Sequence, residues 1–388
     1  MKQTLILSFI VAFFSCTDYG SVDNIHRNDY ENRCKIEFLG KKEVPADDNT
    51  STRTSYIQYI DTDELPHTFA AVNRYTNSIN LYDYDRCLLR KKICYDKEGA
   101  NGTGDIQGFS YINPDSIFVF CYDTQIIYLT NENSKVLWHN MLPARELDSL
   151  GFMPAIPHVQ TNLPLKYVDR KLILQGGNSE ALDGTEPNRP ITSIYDFDRD
   201  TVFYANNYPE QYQKYCWGDW GYKLAYFDTN EEKKQIVVSY PQDHDLYVYS
   251  LQTEAYEHYY AGSRLISTIK GYDEKKEYQP DYNLGRVSTW FFSNPSYRTV
   301  IYDKYRKLYY RLAFLPKEDK MSDFFTKQPA ILIVLDEDYH YLGECELPVD
   351  VDFNPTNCFA SPEGFNIQIF TDNENFYTFY QYKIEIDE

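Results

Sequence analysis

The sequence lacks the residue spacings by which the common catalytic and metal sites are recognised. Its seven histidines form no His-x-x-x-His or His-Glu-x-x-His pattern, so a metal site has no support from the sequence. No Gly-x-Ser-x-Gly turn is present, so no serine nucleophile can be assigned. The glycine-containing run at residues 98–109 is not followed by Gly-Lys-Ser/Thr, which excludes a phosphate loop. We therefore predict no catalytic residue and no cofactor.

Basic residues are scarce beside acidic ones, 38 against 58, which gives a formal net charge of −20. A protein that binds nucleic acid needs a basic surface to neutralise phosphates, and we therefore expect no nucleic-acid partner. The eight cysteines form no Cys-x-x-Cys pair, and those that follow residue 16 are odd in number and fall on predicted strands. We interpret them as small buried hydrophobic residues rather than as a disulfide framework.

An apolar segment at the N terminus, Leu5–Phe14, is too short to cross a membrane as a helix. A small residue and then Cys16 follow it, which resembles the site where a lipoprotein signal is cleaved and the cysteine is acylated. We predict a signal peptide over residues 1–15, lipidation of Cys16 and a polar tether over residues 16–33. Thr17 stands where an inner-membrane retention signal usually has aspartate, so we expect the outer membrane. A secretory signal with a coincidental cysteine is the alternative.

The run from Phe109 to Leu142 is a pattern that the rest of the chain repeats. It contains four short segments rich in isoleucine, valine, phenylalanine and tyrosine, separated by turn formers such as Asn113-Pro114-Asp115. Segments of this length and composition between such turns predict four β-strands. One four-stranded meander cannot bury both of its faces, so several copies must stack against one another.

This pattern predicts five complete units of four strands and one unit of three strands. The incomplete unit is the last one, at residues 357–386, and the isolated segment Cys34–Val44 has no neighbouring hairpin. We therefore predict an all-β, six-bladed β-propeller over residues 34–388, in which the N-terminal strand closes the last blade as its outermost strand. Two packed sandwiches are the alternative fold, and a seventh blade stays open because residues 262–292 are ambiguous.

Loop lengths differ between the two faces of the predicted ring. Turns after the first and third strands of each unit are mostly short and leave one face, which we name the short-turn face. The other connections leave the opposite, long-loop face. Loops above about 12 residues are uncommon unless they are functional or disordered, so we expect the long-loop face to bind a ligand. Its long connections are residues 96–107, 143–162, 176–190, 207–221, 261–296 and 316–328.

The loop at residues 216–221 is the most unusual of these connections, because it carries two tryptophans flanked by glycines. An exposed indole can stack on a sugar or an aromatic ring, and its N–H can donate a hydrogen bond. We predict that neighbouring side chains complete a binding surface, although tryptophans that fill the gap between blades would give the same pattern. The predicted contact residues are Tyr215, Trp217, Trp220, His244 and Trp290.

Polar and aromatic residues alternate around a predicted turn in the run YDKYRKLYYR. Asp303 can hold this turn by accepting hydrogen bonds from the backbone, and it can pair with Arg306. Arg311 lies inside a predicted strand and needs hydrogen-bond partners if it is buried. We interpret the run as structural.

Together with INLYDYD, GFSYINPDSIFVF and SYPQDHDLYVYS, this run resembles a family of uncharacterised lipoproteins from Gram-negative gut anaerobes that carries a domain of unknown function. The resemblance spans about residues 34–386 and implies a six-bladed, TolB-like propeller. It implies no activity, and the role of the family's motif is unknown. The residues that match this motif are Tyr302, Asp303, Tyr305, Arg306, Tyr309, Tyr310 and Arg311.

Three functions are compatible with these observations. The first is a membrane-anchored, non-enzymatic binding or scaffold lipoprotein that engages a glycan, a peptide or an envelope protein through the long-loop face. The alternative is a polysaccharide-acting hydrolase or lyase built on a propeller. The third is a sensor subunit that passes ligand occupancy to a membrane partner. We favour the first, because no catalytic set can be assigned and the long connections share one face. The sequence does not determine the oligomeric state.

Overall fold

The computed structural model describes residues 20–142, 154–177, 190–218, 220–272, 290–317 and 328–387. In these residues the chain forms 27 β-strands and the short helices α1 (Glu210–Lys214) and α2 (Trp220–Lys223), and residues 290–292 are also helical. None of these helices has the length and apolar content that a membrane-spanning helix needs. The strands form six antiparallel blades of one propeller, as predicted, and one additional two-stranded sheet.

Two strands near the N terminus pair with segments that lie far along the sequence. The first is β1 (Ser21–Asp23), which pairs with β20 (Thr268–Lys270) in the two-stranded sheet. The second is β2 (Cys34–Pro45), which pairs with β27 (Phe376–Ile386). Both pairings are antiparallel.

Blades 1 to 3 follow one another along the chain. Blade 1 contains β3 (Ile57–Ile60), β4 (Thr68–Asn73), β5 (Ser78–Asp83) and β6 (Leu88–Cys94). Blade 2 contains β7 (Ile106–Asn113), β8 (Ser116–Cys121), β9 (Ile126–Thr130) and β10 (Val136–Met141). Blade 3 contains β11 (Ile156–Pro157), β12 (Lys166–Val168), β13 (Lys171–Gly177), β14 (Pro190–Asp196) and β15 (Thr201–Asn207).

Blades 4 to 6 complete the ring. Blade 4 contains β16 (Tyr226–Asn230), β17 (Gln235–Ser239), β18 (Asp245–Ser250) and β19 (Tyr256–Tyr260). Blade 5 contains β21 (Ser296–Asp303), β22 (Leu308–Phe314), β23 (Ala330–Asp336) and β24 (Tyr341–Glu346). Blade 6 contains β25 (Phe353–Ala360), β26 (Phe365–Ile369), β27 and, as its outermost strand, β2.

The position of a strand within its blade determines how its residues are buried. Every residue of β4 and of β14 is buried, because these middle strands have a neighbouring blade on each face. In contrast, the outer strand β10 alternates between half-buried and exposed residues, and most of β6 is exposed. The middle strands β4 and β14 are therefore mostly apolar, with short polar residues among them, whereas the outer strand β6 tolerates three adjacent basic residues.

The ring is closed by β2, as the spare N-terminal strand predicted. Its register with β27 runs through eleven residue pairs, from Cys34 opposite Ile386 to Pro45 opposite Phe376, with a bulge at Leu39. Behind this pairing, Val44 and Phe379 pack into an apolar cluster with Phe69 and Ile57 of blade 1. Closure therefore combines backbone pairing within blade 6 with side-chain packing between blades 6 and 1.

The segment predicted to be a tether contains ordered structure. From Gly20 onward the chain lies on the propeller, because β1 pairs with β20 and the Asn24 amide donates hydrogen bonds to the Ser263 and Ile266 carbonyl oxygens. Further on, the Asn32 amide donates to the Glu344 carbonyl oxygen. The prediction of a polar tether over residues 16–33 is thus corrected for residues 20–33, while residues 1–19 lie outside the described part.

We expect the substitution Phe379→Ala to lower the free energy of unfolding by about 3–5 kcal/mol, because it opens a cavity at the closure between blades 6 and 1. Phe379 is fully buried, with its ring centroid 5.3 Å from that of Phe69. Leu39→Ala is the control, since Leu39 is 43% exposed at the bulge of the same strand pair. Urea denaturation measures both variants, and equal losses would contradict this account of closure.

Candidate functional site

Arg311, the last residue of the family motif, is fully buried on β22. All five N–H groups of its guanidinium have an acceptor, which is what a charge removed from water requires. Burial lowers the pKa of this guanidinium to about 10, so it remains protonated at neutral pH. The acceptors lie at 2.8–3.2 Å and are Ser239 Oγ and the carbonyl oxygens of Tyr240, Asp243, His244 and Ala261. Arg311 of blade 5 therefore holds two parts of blade 4 in place: the β17–β18 loop and the residue that follows β19.

A chain of contacts runs from Arg311 to the N-terminal strand. The ring of Tyr297 lies against the guanidinium, with 3.9 Å between the ring centroid and Arg311 Cζ. The Tyr297 hydroxyl lies 2.7 Å from His244 Nδ1, and His244 Nε2 lies 3.2 Å from the Val22 carbonyl oxygen. Because a carbonyl can only accept, we place the imidazole proton on Nε2, and Tyr297 then donates to Nδ1.

His244 is consequently a buried link rather than an exposed contact residue. It is 5% exposed, and both ring nitrogens already have partners. Burial lowers the pKa of His244 to about 4, so the imidazole is neutral at physiological pH. The prediction that His244 contacts a ligand is therefore corrected: as folded, its ring is not available to one.

Asp303 organises the turn of the family motif, as predicted. It is fully buried, and its Oδ1 accepts hydrogen bonds from the backbone N–H groups of Tyr305 and Arg306. Its Oδ2 accepts from the Arg306 guanidinium at 2.8 Å and from the Tyr310 hydroxyl at 2.9 Å. One carboxylate thus anchors the β21–β22 turn to the strand that follows it.

The rest of the motif connects blade 5 to its neighbours. Arg306 donates to the Ser361 and Pro362 carbonyl oxygens of blade 6, and the Tyr305 hydroxyl donates to Asp61 of blade 1 at 2.7 Å.

The motif also contacts blade 4. The Tyr309 hydroxyl accepts a hydrogen bond from the Asn230 amide, and the Tyr302 N–H donates to Asp228. The motif is therefore structural: it joins one blade to three others.

The tryptophan loop forms packed structure on the long-loop face. Trp217 is 2% exposed, and its indole N–H donates to the Gln211 carbonyl oxygen at 3.0 Å. The rings of Tyr212 and Tyr222 lie within 6.2 Å of it, centroid to centroid. Trp217 therefore fills a gap between connections and offers no free face for stacking, which corrects its predicted role as a contact residue. The side chain of Trp220 lies outside the described residues.

Trp290 and Tyr215 are half-buried at the margin of this aromatic group. The Trp290 ring lies 5.1 Å from Tyr222 and 5.0 Å from Tyr272, centroid to centroid. Tyr215 packs on Gly20, where any side chain would meet its ring, so the glycine permits the chain to approach. The structure thus brings Tyr215, Trp217 and Trp290 together beside the N-terminal segment.

A short segment of blade 3, residues 159–163, crosses the axis of the ring at the long-loop end. The Thr161 hydroxyl accepts from the Ile57 N–H and lies 2.6 Å from Asn357 Oδ1, which joins blades 1 and 6. The Asn162 amide donates to Thr299 Oγ1 of blade 5 at 3.0 Å. We name this segment the axial crossing, and it ties blade 3 to blades 1, 5 and 6. The sequence carried no signal for it, because the segment and its polar partners lie in four different units.

Beyond the axial crossing, Lys166 and Asp228 form an ion pair with 2.6 Å between Nζ and Oδ1. Burial of the Lys166 ammonium alone would lower its pKa, but the adjacent carboxylate raises the pKa above its ordinary value. Asp228 also accepts hydrogen bonds from the Tyr302 and Thr229 N–H groups. With these partners the pair is held in place between β12 of blade 3 and β16 of blade 4.

In the described chain, three side chains with metal-ligand atoms converge at one place, on the short-turn face. They are His67, Asp85 and Glu363, whose ligand atoms lie within 4.8 Å of one another. His67 has a left-handed backbone, with φ +45°, and its Nδ1 lies 2.8 Å from Asp85 Oδ2. The spacing of residues in the sequence did not predict this group, because Glu363 is far along the chain from His67 and Asp85. The three residues meet only because ring closure brings the first and last blades together.

We expect Arg311→Lys to lower the free energy of unfolding by about 3–5 kcal/mol, because an ammonium has three donors and cannot reach five acceptors. Arg53→Lys is the control, since the Arg53 side chain is 63% exposed, and we expect a change below about 0.5 kcal/mol there. Urea denaturation compares the two variants. Similar midpoints for Arg311→Lys and the wild type would show that the buried guanidinium is dispensable.

His244 should make stability depend on pH. Its pKa is about 4 when folded, below the ordinary value of 6.5, so the unfolded chain binds more protons between these values. The contribution of the neutral His244 imidazole to the free energy of unfolding is fully present above pH 6.5 and is lost as the pH falls towards 4. From pH 7 to 5 we expect the wild type to lose about 2 kcal/mol more than His244→Gln does. Denaturation at several pH values tests this, and parallel curves would refute it.

Comparison with known proteins agrees with this architecture. A family described as "Domain of unknown function (DUF4221)" matches residues 35–346. A search of curated proteins finds no match. A crystal structure of a DUF4221 member from Bacteroides vulgatus has a TM-score of 0.74 at 17% identity and covers 92% of this chain and 100% of its own. A presumed exported protein from Bacteroides fragilis has a TM-score of 0.55 at 11% identity, with coverage of 92% and 96%.

These structures support the fold alone, because their sequence identity to this chain is low. The family match, in contrast, extends over most of the propeller, from β2 to the end of β24. It includes the motif around Asp303 and Arg311, whose role here is structural. The chain belongs to the DUF4221 family of six-bladed β-propellers, whose function is unknown.

Proposed function

We propose that the chain is a lipid-anchored, non-enzymatic binding protein of the cell envelope that engages an envelope protein through its long-loop face. The observation that carries this proposal is the position of Gly20 against that face. The Gly271 N–H donates to the Gly20 carbonyl oxygen at 2.9 Å, and β1 continues the contact along β20. The N-terminal segment is therefore attached to the propeller before it reaches the ring closure.

The lipid anchor in this proposal is inferred from the sequence that precedes Gly20. Cys16 follows an apolar segment as in lipoprotein signals, and a structural relative is presumed to be exported, which favours an envelope location. Each acyl CH₂ that enters the membrane contributes about 0.8 kcal/mol, so two or three long chains would hold the protein stably. Lipidation of Cys16 would thus attach the polar segment that follows it to the membrane.

The distance between the anchor and the propeller determines which face is near the membrane. Three residues lie between Cys16 and Gly20, and the four Cα–Cα steps of an extended chain span at most about 14 Å. The long-loop face would then lie at the membrane surface, whereas the short-turn face would point away. A ligand of the long-loop face must therefore be reachable at the membrane, which favours an envelope protein over a free glycan or peptide.

Exposed apolar side chains at the end of the β1–β20 pair that is away from Gly20 agree with contact to another protein. Ile25 follows β1 and is 78% exposed, and Leu265 precedes β20 and is 50% exposed. Trp290 and Tyr215 add half-buried aromatic surface on the same face. Apolar groups surrounded by polar residues are typical of protein–protein contact surfaces.

Photo-crosslinking in cells can test the proposal. A photoreactive residue at position 265 should yield an adduct with a membrane protein, because the anchor holds this face at the membrane. The matched control is position 304, since Lys304 is exposed on the short-turn face. Cys16→Ser should release the protein from the membrane fraction and abolish the adduct.

Two outcomes would contradict the proposal. Adducts with membrane proteins that form from position 304 but not from position 265 would place the opposite face at the membrane. Retention of Cys16→Ser in the membrane fraction would show that Cys16 is not the anchor.

A further inference from the structure

We propose that His67, Asp85 and Glu363 on the short-turn face bind a divalent transition metal ion, with Zn²⁺ as the ion that their ligand types fit best. One imidazole nitrogen and two carboxylate oxygens are ligands that zinc accepts, and a fourth position would remain for water or a bound group. The three residues lie at the ends of turns: His67 before β4, Asp85 after β5 and Glu363 before β26.

The geometry needs only a small adjustment. Two ligands of a tetrahedral zinc ion lie about 3.4 Å apart when each bond is about 2.1 Å long. His67 Nδ1 and Asp85 Oδ2 are 2.8 Å apart, so they would separate by about half an ångström, within the reach of side-chain rotation. The ligand atoms of the whole group lie within 4.8 Å, and Glu363 is exposed. Its Oε2 accepts a hydrogen bond from the Ser361 hydroxyl at 2.7 Å, so the carboxylate would either bind the ion through Oε1 or give up this contact.

The second nitrogen of His67 faces a carboxylate that can orient the ring. Asp61 Oδ1 lies 3.9 Å from His67 Nε2, and Asp61 is held by the Tyr305 hydroxyl and by the His67 backbone N–H. Histidines that bind metals usually donate their other ring N–H to such a carboxylate, which fixes the tautomer that leaves the ligating nitrogen unprotonated. At 3.9 Å the two atoms are not hydrogen-bonded, and Asp61 would act as the positioning residue of this site once a small ring rotation brings Nε2 within hydrogen-bond distance.

Three other histidines show what an ordinary His–Asp pair looks like in this protein. His26, His258 and His340 each lie 2.8–2.9 Å from one aspartate through Nδ1. Among the described residues, only His67 has an additional carboxylate ligand nearby and a further carboxylate opposite Nε2. A simple surface ion pair requires neither of these features.

Positive groups surround the site without occupying the oxygen that faces His67. Lys42 Nζ lies 3.9 Å from Asp85 Oδ1, the other oxygen of that carboxylate. Arg90 pairs with Asp83 at 2.8 Å. These residues would offset part of the negative charge of the ligands, and Asp85 Oδ2 stays directed at His67.

The three ligands lie on two different blades, so a bound metal ion would affect how the ring is held closed. His67 and Asp85 belong to blade 1, whereas Glu363 belongs to the β25–β26 turn of blade 6. A bound ion would bridge the two blades that meet where the ring closes, and it would stabilise the folded state because the unfolded chain has no such site. This site lies on the face opposite to the one proposed to contact an envelope protein.

Isothermal titration calorimetry with Zn²⁺ on the chelator-treated protein tests the proposal. We expect one ion to bind per chain, and the melting temperature to rise with Zn²⁺ and to return to its starting value with EDTA. His67→Asn should abolish this binding while keeping the left-handed backbone that asparagine tolerates. Glu363→Gln changes an exposed residue and should weaken binding at least ten-fold, and Asp61→Asn should weaken it about 10- to 100-fold.

His258→Gln is the matched control, because it removes a similar His–Asp pair that has no third ligand. It should leave both the stoichiometry and the affinity unchanged. The proposal is overturned if the wild type binds no stoichiometric Zn²⁺, or if Glu363→Gln and His258→Gln have equal effects. Should His67→Asn fail to fold in EDTA, the comparison between Glu363→Gln and His258→Gln decides alone.

Discussion

The structure depends on the pairing of the two ends of the propeller. β2 provides the outer strand that blade 6 lacks, and its eleven pairs with β27 convert an open row of blades into a ring. Without this pairing, β27 would expose its backbone N–H and C=O groups along its whole length. Ring closure then makes every blade the neighbour of two others, which is why the middle strands are buried on both faces.

The seams between blades are held by different chemistry at different places. Blades 6 and 1 share an apolar aromatic cluster around Phe379 and Phe69. Blades 4 and 5 share a buried guanidinium, Arg311, which donates four hydrogen bonds to carbonyl oxygens of the blade 4 connections and a fifth to the Ser239 hydroxyl. At the axis, the hydroxyl of Thr161 and the amide of Asn162 reach across to the other blades.

The abundance of tyrosine follows from these seams. A tyrosine ring fills the space between two twisted sheets, while its hydroxyl reaches a polar group at the edge of that space. Tyr297 contacts Arg311 through its face and His244 through its hydroxyl, and Tyr305 reaches from blade 5 to Asp61 of blade 1. A phenylalanine would fill the same space but would leave these partners without a hydrogen bond.

The sequence by itself predicted six blades and the way the ring closes, because strand periodicity and a spare strand are local features that closure must satisfy; the structure then decided against a seventh blade in the described residues. It also indicated that Asp303 holds a turn and that Arg311 needs partners. Only the tertiary structure decided that Trp217 and His244 are buried, that residues 20–33 lie on the propeller, and that His67 meets Glu363. These facts concern residues from different blades, and their distances are set by ring closure and blade packing, which no local pattern encodes.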